Sequence, residues 1–134
     1  MKTLVYLACP YSHPERSVRV ERFASVNRCA SFLMRAGVQI FSPISHTHPI
    51  AEHGLPKGWD FWEPYDRAFL EMSKAMLVCA LDGWAESVGV KAEREIARTL
   101  GIPIGYIFYP DNEEYCRKRA VMSGLVSGDE MKPA

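Results

Sequence analysis

Two acidic residues, Glu93 and Asp66, stand where this chain could do chemistry. The apolar run from Ala75 to Leu81 stops at the turn signal Asp82-Gly83, and a helical pattern resumes through Ser87. A strand–loop–helix join of this kind leaves free backbone N–H groups and a positive helix end at the carboxyl edge of a sheet. Anions and reactive carboxylates are useful there. Glu93 falls near the start of that helix and Asp66 in the helix before the strand, so both can lean over one strand edge. Paired carboxylates are the apparatus of glycosyl transfer, one attacking the anomeric carbon and the other handling the leaving group's proton. Each acid also has a plain alternative, Glu93 as a solvated helix-surface residue and Asp66 as a cap or ion-pair partner.

Other groups form looser constellations. Ser12, His13, Arg16 and Ser17 surround the start of a first helix and Ser87 opens a later one, where phosphate binds readily and where plain N-capping is the competing use. The first loop lacks G-x-G-x-x-G, so a dinucleotide is not expected, and nothing calls for a cofactor. His46, His48 and His53 with Glu52 invite a metal hydrolase built on imidazole and carboxylate ligands, although a merely polar loop explains them more cheaply and no metal is expected. Trp59, Phe61, Trp62 and Tyr65 are either core or a stacking wall for a planar ring. Tyr6, if buried, needs a partner for its hydroxyl, and Glu93 would supply one.

Periodicity gives the elements that must position these groups. Thr3 to Ala8 is a continuous apolar run ended by Cys9-Pro10, as in a buried parallel strand. Pro14-Glu15 opens a long helix in which Phe23, Val26, Ala30 and Leu33 form a sheet-facing stripe, closed at Gly37 before the strand Val38 to Phe41. Ser42 to Gly58, with three prolines and three histidines, has no period and reads as a long loop over the sheet edge. A helix from about Asp60 to Ser73 leads into the strand Ala75–Leu81, and one from about Ser87 to Leu100 closes at Gly101. Ile102 to Phe108 makes a fourth strand and Asn112 to Leu125 a last helix. The alternation predicts an α/β fold, a flavodoxin/Rossmann-like three-layer sandwich with a parallel sheet of four to five strands. It forms one domain over residues 1–126, followed by a flexible polar tail at 127–134. Ligands should then enter one crevice bordered by Ala8–Ser12, Ser42–His46, Asp82–Ser87 and Tyr109–Asp111.

The 134 residues suffice for a real core, and 48% apolar with 24% charged residues is the balance of a soluble globular chain. Sixteen basic and 16 acidic residues cancel, which gives no field for a nucleic-acid polymer and leaves a small phosphorylated ligand open. No apolar run approaches the roughly 20 residues of a membrane span. The four cysteines show no C-x-x-C pair and read as buried free thiols, in keeping with a cytoplasmic location.

Three stretches together resemble the nucleoside 2-deoxyribosyltransferase superfamily, which includes the deoxynucleoside 5′-monophosphate N-glycosidases. Tyr6-Leu7-Ala8-Cys9-Pro10-Tyr11 is similar to its first-strand motif. Tyr65-Asp66-Arg67 through Val78 is similar to its Asp-bearing helix and following strand, and Ser87-Val88-Gly89-Val90-Lys91-Ala92-Glu93 to the segment with the catalytic Glu. The match runs from about residue 4 to 108. It implies that Glu93 is a nucleophile on C1′, that Tyr6 orients it, and that Asp66 serves the departing base; the positive helix start is expected to keep Glu93 ionised. In the monophosphate-cleaving branch a Ser six residues before the Glu holds the 5′-phosphate, the place of Ser87 here. With the phosphate cradle and stacking wall read above, the substrate is expected to be bordered by Pro10, Ser12, His13, Arg16, Trp62 and Gly89. The resemblance also implies a homo-oligomer, in which Ser123 of a neighbouring copy would meet the phosphate. The expected activity is therefore cleavage or deoxyribosyl transfer at the N-glycosidic bond of a (deoxy)nucleoside 5′-monophosphate. A non-catalytic nucleotide-binding module is the alternative. Two departures stand out: Cys9 replaces the usual Gly after the first strand, and Glu93-Arg94-Glu95 replaces Glu-x-Gly.

Overall fold

The computed structural model describes residues 1–125, so the predicted tail at 127–134 lies outside the described residues. The strands β1 (Leu4–Ala8), β2 (Gln39–Phe41), β3 (Ser73–Cys79) and β4 (Ile104–Ile107) form one parallel sheet in the order β2-β1-β3-β4. The helices are α1 (Arg16–Arg35), α2 (Pro43–Ala51), α3 (Trp59–Glu71), α4 (Val88–Leu100) and α5 (Glu113–Met122), with a 3-10 turn at Trp84–Glu86. The predicted α/β architecture is present, with four strands. Among the described residues no helix is long and apolar enough to cross a membrane.

Period two along β1 sorts its side chains between two cores. Val5, Leu7 and Cys9 join Ala75, Leu77 and Cys79 against Val26, Cys29 and Leu33 of α1 and Cys116 and Ala120 of α5. Tyr6 and Ala8 point the other way and pack with Met76 and Val78 against Leu70 of α3 and Val90, Ile96 and Ala97 of α4. This alternation puts the Tyr6 hydroxyl on the face that α4 covers. All four cysteines are free and buried in the α1/α5 core. The chain passes from β1 out to β2 and returns across β1 to β3, so its direction of winding reverses there. A crevice opens beyond the carboxyl ends of strands at such a switch.

The stretch Ser42 to Gly58 is not one long loop. Ser42 caps α2, its Oγ accepting from the Ser45 backbone N–H at 3.4 Å, and Pro43 takes the first helical position, where its missing N–H removes no bond. No apolar period shows because the helix has only 9 residues, of which Pro43 and His48 alone are buried, and Pro49 lies inside it. Three other boundaries shift. β3 begins at Ser73 because α3 ends at Glu71. The fourth strand is only Ile104–Ile107, and α5 stops at Met122 ahead of a left-handed Gly124.

Candidate active site

A cavity of about 450 Å³ lies at the β1/β3 edge. Its walls are Cys9, Tyr11 and Ser12 after β1, Arg19 of α1, and Pro43, Thr47 and His48 of α2. Trp59, Trp62 and Asp66 of α3 face it as well, together with Glu86 to Gly89 and Glu93.

Glu93 reaches it from a buried stripe. Val90, Glu93, Ile96 and Ala97 recur at helical spacing on α4 and all are buried. The Glu93 residue is only 4% exposed, and the wholly buried Tyr6 donates its hydroxyl proton to Glu93 Oε2. Asp66 comes from α3, lines the same cavity, and is near enough for its charge to act on both Glu93 and Tyr6. Structure thus brings Tyr6, Asp66 and Glu93 into one cluster. The solvated-surface alternative for Glu93 fails, because an acid inside an apolar stripe is carried into the sheet interface.

The electrostatics differ from the expectation that the helix start keeps Glu93 ionised. Glu93 is the sixth residue of α4, beyond the first turn in which the helix end acts. Burial, then the Asp66 charge, push Glu93 well above the usual carboxylate range, while the Tyr6 hydroxyl pulls it partly back. Burial likewise raises Asp66 to about 6, against hydrogen bonds from Tyr6 and Glu93 that lower it. Burial, with both carboxylates beside it, also keeps Tyr6 firmly protonated as a donor. Glu93 is raised the further of the two, so it holds the proton while Asp66 carries the charge, and their titration belongs to the pair. For Glu93 to act as the carboxylate its proton must pass to Asp66, which then serves as the acid.

The remaining predicted site residues divide. Ser12, Trp62, Ser87 and Gly89 line the cavity. Ser87 is also the N-cap of α4, accepting from the Val90 N–H at 3.2 Å, which leaves its own hydroxyl proton free to donate. Pro10, His13 and Arg16 do not line it. Pro10 is fully buried beneath, the His13 ring accepts from the Glu15 N–H at 3.1 Å, and Arg16 points to solvent and pairs with Glu52 at 3.0 Å. Arg19, one turn later on α1, supplies the arginine instead. Tyr109–Asp111 is not at this crevice either; Asp111 pairs with Arg28 at 2.8 Å. Ser123 is the C-cap of α5, outside this chain's cavity.

The aromatic cluster serves two spaces. Trp59 and Trp62 wall the main cavity, while Phe61 and Tyr65 join Trp62, Phe41 and Phe69 around an adjoining one of about 210 Å³. Asp66 and Trp62 border both. The three histidines disperse, His48 into the main cavity, His46 against Phe41, and His53 into a shallow hollow beside Ile50. Among the described residues no three His, Cys, Asp or Glu side chains come together to hold a metal ion, so the metal-hydrolase alternative has no ligand set. Tyr11 falls within the predicted border Ala8–Ser12; sequence reasoning missed Arg19 of α1, and it missed His48 and Glu52 as cavity residues because α2 went unread.

No curated protein matches the chain. Residues 3–108 match the family described as "Domain of unknown function (DUF1937)", a span that contains Tyr6, Asp66, Ser87 and Glu93. The chain therefore belongs to the DUF1937 family.

Proposed function

We propose that the protein cleaves, or transfers the sugar of, the N-glycosidic bond of a (deoxy)nucleoside 5′-monophosphate through a covalent sugar–Glu93 ester. One observation carries this reading: the buried Glu93 is held by the Tyr6 hydroxyl and lines, together with Asp66, a cavity of nucleotide size. The resemblance of the three motifs to the nucleoside 2-deoxyribosyltransferase superfamily supports it independently. Glu93 passes its proton to Asp66 and attacks C1′ as a carboxylate, and Asp66 gives that proton to the departing base. The C1′–N bond breaks with its electron pair on the base, and water or a second base later takes the sugar. The 5′-phosphate finds Arg19, Ser12, the Ser87 hydroxyl and the α4 N-terminus on the same wall system. The base lies toward Trp62, where a planar ring can stack. A homo-oligomer, with Ser123 serving a neighbour's site, belongs to this proposal.

The test is release of free base from a panel of nucleoside 5′-monophosphates, followed by chromatography. Wild-type protein releases base and Glu93→Ala, still folded, releases none. A Glu93→Ala variant that matches wild type contradicts the assignment. Wild-type protein that binds nucleotides and releases no base would make the domain a non-catalytic binding module.

A further inference from the structure

A second set of polar groups lines the same cavity and has no part in the steps above. His48 is only 8% exposed, and its ring stacks on Phe23 with centroids 4.3 Å apart. Its Nε2 lies 3.5 Å from Glu52, which Arg16 holds at 3.0 Å, and its Nδ1 meets the Tyr11 hydroxyl. Placing the ring proton on Nε2, the side that faces Glu52, makes Nδ1 an acceptor. Tyr11 therefore donates its hydroxyl proton to Nδ1, and the lone pairs of its oxygen remain for the cavity. Glu52–His48–Tyr11 is thus a carboxylate–imidazole–hydroxyl chain, assembled by α2 and the loop after β1, on a different wall from Glu93 and Asp66.

We propose that Tyr11, backed by His48 and Glu52, activates the water that resolves the sugar–Glu93 ester. The inference rests on the glycosyl-enzyme reading above. Water must approach C1′ from the side away from Glu93, and the Tyr11 chain borders the cavity from elements other than the α4 helix that carries Glu93. In this step a water proton passes to the Tyr11 oxygen as the tyrosine's own proton passes to His48 Nδ1. The water oxygen bonds to C1′, the C1′–O bond to Glu93 breaks, and its electron pair returns to the carboxylate. The imidazolium is balanced by Glu52. Burial keeps the Tyr11 phenol protonated, against the charge of Arg19, as a relay requires. Tyr11 touches the attacking water; His48 and Glu52 are positioning residues.

Tyr11→Phe keeps the ring that packs edge-on against His48 and removes only the oxygen. With a nucleoside 5′-monophosphate that wild type cleaves, the variant should give one base per site in a rapid burst. Turnover should then run about 10²-fold slower than wild type, with the sugar retained on Glu93. Sodium azide attacks without giving up a proton and should restore turnover, yielding a glycosyl azide detectable by mass. His48→Leu should show the same burst and the same azide rescue. Unchanged turnover in Tyr11→Phe, loss of the burst together with turnover, or a slow variant that azide does not rescue overturns the proposal. Failure of the underlying reading looks different: base is released and neither wild type nor any variant ever carries sugar on Glu93.

Discussion

Glu93 is a carboxyl group on an apolar helix face, and its chemistry and its cost to stability have one cause. Burial makes both acids bind protons more tightly in the folded chain than in the unfolded one, with the Asp66 charge adding to the effect on Glu93 and the Glu63 charge to that on Asp66. Stability then falls as pH rises, from the ordinary carboxyl range near pH 4 through about 6 for Asp66 and further for Glu93. Glu93→Gln removes one of the two acids and keeps an acceptor for Tyr6. It should therefore melt higher than wild type at pH 8, by on the order of 1 kcal/mol, with the difference closing toward pH 4. Parallel melting curves at the two pH values check this, and an equal or lower melting point at pH 8 contradicts it. Tyr6→Phe acts in the other direction on the pair. The Tyr6 hydroxyl lowers Glu93, so its loss should move the acid limb of kcat/KM to higher pH and reduce the plateau. A limb that stays in place would mean that Tyr6 serves packing alone.

At the scale of elements, α4 does two jobs through one residue. Ser87 caps the helix and faces the cavity. Ser87→Ala should cost about 1 kcal/mol of stability as the cap is lost. Ser87→Asp keeps a good cap and sets a negative charge toward the ligand, so it should leave stability near wild type and weaken nucleotides far more than free nucleosides. Denaturant unfolding alongside KM for both substrate kinds separates the two effects; equal losses on nucleotide and nucleoside would remove the phosphate argument. The strands and α1, α3, α4 and α5 were legible because continuous apolar runs, helical stripes and Gly37 and Gly101 mark them. The α2 helix was not, since its prolines and histidines hide a short helix with hardly any buried residues. The Ser42-Pro43 start is nonetheless a cap followed by a first-turn proline, the available signal. For the acids the signal was also present, with Glu93 at three-residue steps from Val90 and Ile96, and Asp66 four before the buried Leu70. What spacing alone could not give was the reach of Tyr6 to Glu93, which depends on which face of β1 meets α4.

Across the whole molecule the sheet separates support from chemistry. One face carries a thiol-containing apolar core under α1 and α5, and the other carries Tyr6, Asp66 and Glu93 under α3 and α4. The reversal of winding between β1 and β3 opens the cavity beside that second face. A cluster of buried acids is tolerated there because the surrounding cores bury apolar surface enough to offset it. The most direct measurement of the account is the mass of the protein quenched in acid during turnover of a nucleoside 5′-monophosphate, with the modified peptide sequenced. One sugar phosphate per chain attached to Glu93, and no adduct on Glu93→Ala, is the expected result. Base release without any adduct on Glu93, or an adduct on another residue, would contradict it.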